Sequence, residues 1–301
     1  MGGGRYDYLS SHSRSLEYQA KSREEVFTQT EMNPEMNIKG KIRESCDSQE
    51  HPDSFPIIIA LDVTGSMTFV PEKLIKGVFP DIMQRIAEQG VEHAQVCFVA
   101  FGDHYTDFAP LQVGQFETSD SLLDKWLKLI YLEGGGGGNG GESALLAYYF
   151  AAYHTSCDHI TKRHQKGVLI TISDECTHRA LSRGCIQKIF GSDIETEQVT
   201  VEELLDDVSQ NWDVYHYLYN DYSARRQQAE SHWMNTLGDK GVSIIFDSPD
   251  NLKDSIPAMV VKTYEKSHPI NDASTFMQNT ASAEVKEDST YEPTPDYNII
   301  L

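Results

Sequence analysis

The sequence predicts an α/β fold: a doubly wound, mostly parallel central sheet with helices on both faces and one antiparallel strand at its edge. Apolar runs of strand length, Phe55 to Leu61, Ala94 to Phe101 and Gly167 to Ser173, alternate with stretches of helical spacing. Such alternation closes into a parallel sheet. The runs are apolar throughout rather than every second residue, as strands buried on both faces are. They also end in carboxylates, at Asp62, Asp103 and Asp174. In a parallel sheet the strand ends share one edge, where ligands bind, so residues far apart in sequence can converge there.

The remaining elements follow in chain order. Residues 1–54 are rich in Ser, Glu, Gln, Lys and Arg without sustained periodicity, and read as a polar leader with a short helix. Within it, Ile42 to Ser48 is close enough to the first strand to pack along the sheet edge or over a site. From Pro71 to Gly90, Leu74, Ile75, Val78, Ile82, Met83 and Ile86 recur at helical spacing, with Gly90 as the stop and Pro80 as a kink or break. Phe108 to Phe116 alternates weakly and fits the short edge strand, and Ser119 to Tyr131 an amphipathic helix. A helix from Ala144 to Ser156 follows a glycine-rich stretch, and another runs from Arg179 to Phe190. Thr200 and Glu203 have capping-box spacing. Trp212 to Tyr219 and Val242 to Phe246 read as strands, Ser223 to Leu237 and Asn251 to Glu265 as helices. The domain thus spans 55–266, and 267–301 is an acidic, flexible tail.

The chemistry concentrates in Asp62-Val63-Thr64-Gly65-Ser66, directly after the first strand. One carboxylate and two hydroxyls form an all-oxygen donor set suited to Mg²⁺, Mn²⁺ or Ca²⁺. Gly65 permits a turn tight enough for both hydroxyls to face one point. The run Gly134 to Gly141 reads by composition as a flexible linker. Its place, opening onto an apolar helix inside the α/β alternation, instead suits a backbone that approaches an ion closely. No Gly-Lys-Ser or Gly-Lys-Thr occurs, so it is not a Walker phosphate loop.

This pattern resembles the metal-ion-dependent adhesion site (MIDAS) of von Willebrand factor A (VWA) domains, usually Asp-x-Ser-x-Ser. Ala60 to Met67 and Gly138 to Glu142 are similar in wording to a VWA branch linked to alpha-kinases and to bacterial and phage proteins. The resemblance covers about residues 55–265 and implies a Rossmann-like fold. It implies a metal site of Asp62, Thr64, Ser66, Asn139 and Asp174, with Asp103, Glu142 and Ser143 as further contributors. Asn139 stands where that branch has Asp, and Ser143 is a substitute ligand. In the implied mechanism the hydroxyls bind the cation directly and the carboxylates largely through water. The open position then captures a Glu or Asp carboxylate of a partner protein, without catalysis.

Composition narrows the partners. Lys and Arg number 25 against 46 Asp and Glu, a formal net charge of -21. So acidic a chain repels phosphate backbones and anionic membranes, which argues against nucleic acid and lipid surfaces. Five cysteines without framework spacing, no signal-peptide core and no run of membrane-spanning length give the expectation of a cytoplasmic protein.

Three other readings stay open. Asp103, His104, Glu142, Asp174 and Glu175 could serve a metal-assisted hydrolase with His104 as base. Cys157-x-His159 with His164, and Cys176-x-His178 with Cys185, could hold zinc, though neither has Cys-x2-Cys spacing. Long polar ends on a compact core also suit a structural component of a larger assembly, such as a phage particle, with metal-independent contacts.

Overall fold

The central sheet has six strands, and every residue of its three longest apolar runs is buried. In the computed structural model, residues 4–134, 141–220 and 226–268 are described. The strands are β1 (Phe55–Asp62), β2 (Ala94–Phe101), β3 (Leu111–Val113), β4 (Gly167–Ser173), β5 (Trp212–Tyr219) and β6 (Gly241–Phe246). Their order is β6-β5-β4-β1-β2-β3, and only β3, at the edge, runs antiparallel to its neighbour. The expected doubly wound α/β architecture is therefore the observed one.

Strand alternation sends side chains to two cores. Ile57, Ile59, Leu61, Val96, Phe98 and Ile170 face helices α1 (Tyr8–Gln19), α2 (Phe79–Glu88), α3 (Asp120–Lys128) and α8 (Leu252–Ser267). Ile58, Ala60, Cys97, Val99 and Leu169 face α4 (Ala144–Tyr153), α5 (Arg183–Phe190), α6 (Val201–Asn211) and α7 (Arg226–Leu237). Helix α4 is apolar on all sides because it is covered on all sides; Leu145, Leu146, Tyr148 and Phe150 are fully buried. Burying one such side chain is worth about 1.5–3 kcal/mol. The N-terminus of α4, which carries Glu142 and Ser143, is thus held firmly against the sheet.

Several local expectations shift. The helix after β1 breaks at Gly77, whose φ of 153° only glycine adopts readily. Pro80 sits in the first turn of α2, where its missing N–H costs nothing. Ala180–Ser182 is a short strand paired with Gln198–Thr200, so the following helix starts only at Arg183, capped by Ser182. Helix α4 ends at Tyr153, and Thr155–Cys157 pairs in parallel with Arg43–Ser45. The Thr200–Glu203 capping box is present.

The polar N-terminal segment joins the same compact unit as the domain. Tyr18, Val26, Phe27 and Met36 enter one core and Ile38 the other, while the Ser15 hydroxyl donates to the carbonyl of Ile75 at 2.8 Å. These apolar residues are too sparse to show helical or strand period, which is why the sequence shows only polarity. The Ile42 to Ser48 stretch lies where β1 and β2 begin, with Ser45 Oγ donating to Gln95, and so at the end opposite the strand-end carboxylates. The tail expected at 267–301 lies almost wholly outside the described residues.

Candidate functional site

The order of strands decides where a site can form. From β1 the chain moves to β2 and β3 on one side, then returns to β4 on the other. The crevice between the ends of β1 and β4 is therefore the point where the winding reverses, the usual ligand position in open α/β sheets. Leu61 pairs with Ile172 and Asp62 with Phe101. Asp62, Asp174 and Asp103 accordingly emerge on three adjacent strands, each spaced about 4.8 Å from the next.

Asp62 is fully buried. Its Oδ1 accepts from the Thr64 backbone N–H at 2.9 Å and from the Thr64 hydroxyl at 2.6 Å. Its Oδ2 has no hydrogen-bond partner among the described residues. Burial pushes the Asp62 carboxyl well above the usual range, and the negative charges of Asp174 and Glu175 add to the rise against the Thr64 hydrogen bonds. Thr64 is buried and Ser66 is exposed on the turn beyond it. That turn is pinned from the N-terminal segment, since Arg23 donates to the Thr68 hydroxyl at 2.9 Å and pairs with Glu72 at 2.8 Å. Phe69 and Tyr219 rings meet at 4.9 Å and anchor the same turn to the end of β5.

Glu142 arrives from the start of α4. Its backbone N–H donates to the carbonyl of Cys176 at 2.8 Å, and its carbonyl accepts from His178 N–H and the Thr177 hydroxyl. The loop after β4 is thereby stitched to the N-terminus of α4. Burial drives the Glu142 carboxyl upward, with the negative charges of Asp62 and then Asp103 as the next largest causes, and its Oε2 has no partner among the described residues. Asp174 is half-buried at the end of β4. Trp233 Nε1 donates to the carbonyl of Glu175 at 2.8 Å, fixing this loop from α7.

Asp103 is fully buried and engaged on both oxygens. Oδ1 accepts from Tyr105 N–H at 3.0 Å and lies 2.8 Å from His178 Nε2, while Oδ2 accepts from the Thr106 hydroxyl at 3.0 Å. Asp107 closes the loop by accepting from Asp103 N–H at 2.7 Å. A Cβ at Gly102 would lie 2.2 Å from the Asp107 carboxylate, so a side chain there would displace that carboxylate from the Asp103 N–H. Ser143 is buried; its Oγ accepts from His104 N–H at 2.9 Å and lies 2.7 Å from His104 Nδ1. Burial, with His178 beside it, lowers the His104 pKa to about 4, so the ring is neutral near pH 7.

Of the residues expected at a cation site, Asp62, Thr64 and Asp174 share the β1–β4 crevice, with Ser66 on its exposed rim and Glu142 within charge reach of Asp62. Asp103 and Ser143 form a neighbouring cluster with His104 and His178. Asn139 lies outside the described residues. The donor chemistry fits a hard divalent cation: a buried carboxylate oxygen has no hydrogen bond among the described residues and lies amid carboxylates whose mutual repulsion a cation would relieve. The Cys157 and Cys176 groupings gather no metal set; among the described residues the sole such group is Asp103, His104 and His178. His178 is the member sequence reading did not join to Asp103, because only the sheet brings them together.

No family model and no curated protein matches the chain. Among solved structures it is similar to the pilus adhesin SpaC from Lactobacillus rhamnosus GG, in its open conformation. That alignment has 10% identity and a TM-score of 0.46, and covers 74% of this chain and 31% of SpaC, so the chain spans about a third of that protein. It is also similar to the vWF domain of the type V pili tip protein Mfa5 from Porphyromonas gingivalis, at 10% identity and TM-score 0.42, over 73% of this chain and 97% of that one. A mutant of the PilB minor pilin from Streptococcus sanguinis aligns at 10% identity and TM-score 0.43, over 78% and 63%.

Proposed function

We propose that the chain is a VWA-type protein-binding module that captures a partner's Glu or Asp carboxylate through a divalent cation. Asp62, Thr64, Ser66 and Asp174 hold the ion, and Asn139 is the expected middle-loop member. The observation that carries this reading is the buried Asp62 carboxylate, with one oxygen held by Thr64 and the other without a hydrogen bond among the described residues, set among further carboxylates at the sheet's reversal point. When bound, Mg²⁺, Mn²⁺ or Ca²⁺ supplies a hard positive centre for an anionic oxygen. The chain's own residues orient that centre: Thr64 fixes the Asp62 carboxylate, the Trp233 bond fixes the loop carrying Asp174, and Glu142 adds negative charge nearby. Tyr105 and Phe108, 68% and 94% exposed, offer apolar surface beside the strand ends for the partner's flanking residues.

The role is non-catalytic in this reading. The base a hydrolase reading would use, His104, is held through Nδ1 by Ser143, a buried hydroxyl that also accepts a backbone N–H. The strong negative charge disfavours nucleic acid and anionic membranes as partners. All five cysteines are free thiols, which supports a cytoplasmic setting.

Calorimetric titration with Mg²⁺, Mn²⁺ and Ca²⁺, beside the Asp62→Ala and Ser66→Ala double variant, tests the reading together with partner capture in the presence and absence of chelator. Saturable binding lost in the variant, with chelator-sensitive capture, supports it. Capture that ignores both chelator and variant would establish the metal-independent assembly reading instead.

A further inference from the structure

Beside the oxygen-only crevice lies a cluster of different chemistry. Asp103 Oδ1 and His178 Nε2 are 2.8 Å apart, and His104, which follows Asp103, packs its ring edge-on to His178 at 5.1 Å. One ligand atom from each of these three side chains lies within 4.8 Å of the others. We propose that Asp103, His104 and His178 form a second cation site, selective for a transition-series ion of the zinc type, distinct from the hydroxyl-bearing site at Asp62. This inference does not depend on the proposed function.

Three observations support it. Two imidazoles and one carboxylate are donors that Zn²⁺, Co²⁺ or Fe²⁺ accepts, whereas Mg²⁺ prefers oxygen and retains its waters. The three side chains are also held by outer contacts of the kind that orient metal ligands. The Ser143 hydroxyl lies 2.7 Å from His104 Nδ1 and orients the ring; with the proton on Nδ1, the Nε2 lone pair is left for ligation. Thr106 and the Tyr105 N–H fix the Asp103 carboxylate, and the peptide bonds around Glu142 and Thr177 fix the segment carrying His178. Finally, His178 and Tyr105 line an open groove of about 800 Å³, with His232 and Arg179 on its wall, which gives an ion a wet path from solvent.

Loading needs the three side chains to adjust. Ligands on a tetrahedral ion with bonds of about 2.0–2.1 Å stand roughly 3.3 Å apart, so the Asp103 to His178 contact, 2.8 Å, opens by about half an ångström, while spacings of up to 4.8 Å within the cluster close by up to about 1.5 Å. The His178 ring transfers its proton from Nε2 to Nδ1 and presents the Nε2 lone pair. Water or a partner side chain completes the coordination. The ion would clasp the loop after β2 to the loop after β4, two segments that already meet through the Asp103–His178 hydrogen bond and the packing of the His104 and Tyr105 rings on His178.

The test uses the full chain, stripped with chelator and supplied with excess Mg²⁺. It is titrated with Co²⁺ while visible ligand-field absorption is followed, and Zn²⁺ is then added. The expected result is one equivalent of Co²⁺ with tetrahedral or five-coordinate bands, displaced by Zn²⁺. His104→Ala and His178→Ala should each weaken binding by about 10- to 100-fold or more, and Asp62→Ala with Ser66→Ala should leave it intact. Bands that vanish in the Asp62 and Ser66 variant but persist in both histidine variants would assign the ion to the other site and overturn the proposal, as would no bands at all in folded wild-type protein. If the histidine variants fail to fold, proton NMR of the Co²⁺-loaded wild type decides: shifted exchangeable imidazole N–H signals support histidine ligation, and their absence refutes it. Mg²⁺ titration of the same proteins reads the Asp62 site separately, so failure of one site is distinguishable from failure of the other.

Discussion

The Thr64 hydroxyl donates to Asp62 Oδ1 at 2.6 Å, and the same oxygen takes the Thr64 backbone N–H at 2.9 Å. One residue of the turn thus aims the buried carboxylate through two hydrogen bonds, while the other oxygen, Oδ2, has no hydrogen bond among the described residues. Satisfying one oxygen completely and the other not at all is costly for a group out of water. The arrangement is stable in proportion to what a cation at Oδ2 would return.

Cation affinity should therefore depend steeply on this pair. Asp62→Ala should abolish Mg²⁺ binding in calorimetry. Thr64→Ala should weaken binding by about tenfold or more through loss of carboxylate orientation, while Thr64→Ser, which keeps the hydroxyl, should restore most of it.

Stability should fall with rising pH when no divalent cation is present. Asp62 and Glu142 titrate above the ordinary carboxylate range, chiefly from burial. From about pH 4, where the unfolded carboxyls ionise, the folded state holds protons that the unfolded state has released. Unfolding stability then drops by at most about 1.4 kcal/mol per pH unit per group until the raised folded value is passed. Below about pH 6.5 the buried or half-buried, neutral rings of His104, His216 and His232 oppose this trend. Thermal melts in chelator from about pH 7 to 8 should therefore show the decline, saturating Mg²⁺ should flatten it, and Asp62→Asn should reduce it. A cation-free melting temperature that rises over the same range would contradict the account.

Trp233 should matter to the site although it never reaches it. Trp233→Phe keeps the stacking on His216, whose ring lies 3.4 Å away, but leaves the Glu175 carbonyl without its indole donor. The expected cost is about 1–2 kcal/mol in denaturant unfolding, with weaker Mg²⁺ binding as the loop carrying Asp174 loosens.

Removing residues 1–27 should destabilise the domain rather than trim it. Tyr18, Val26 and Phe27 leave the core, and Arg23 leaves Thr68 and Glu72 on the first-site turn. Losing three such buried side chains costs several kcal/mol, on the order of 1.5–3 each. Circular dichroism melts of the truncated chain should show a large drop in midpoint. Melting unchanged from the full chain would mean that this segment is dispensable.

The close fit of β2 and β5 to their expected bounds, Ala94–Phe101 and Trp212–Tyr219, shows how much an unbroken apolar run determines by itself. The Thr200 capping box and the carboxylates that end the strands were likewise legible, because hydrogen bonding and burial pattern there involve neighbours in the chain. The break at Gly77 and the delayed start of α5 were not, since a backbone that leaves the helix at one glycine or pairs as a short strand depends on what lies against it.

The sequence by itself determined an alternating α/β chain whose first, second and fourth sheet strands end in Asp62, Asp103 and Asp174. Only the tertiary structure decided that Asp103 meets His178 rather than joining Asp62, and that the polar N-terminal segment belongs to the core. The physical reason is range. Periodicity and capping act within a few residues, whereas the meeting of strand-end loops is set by strand order, which burial of the sheet as a whole selects.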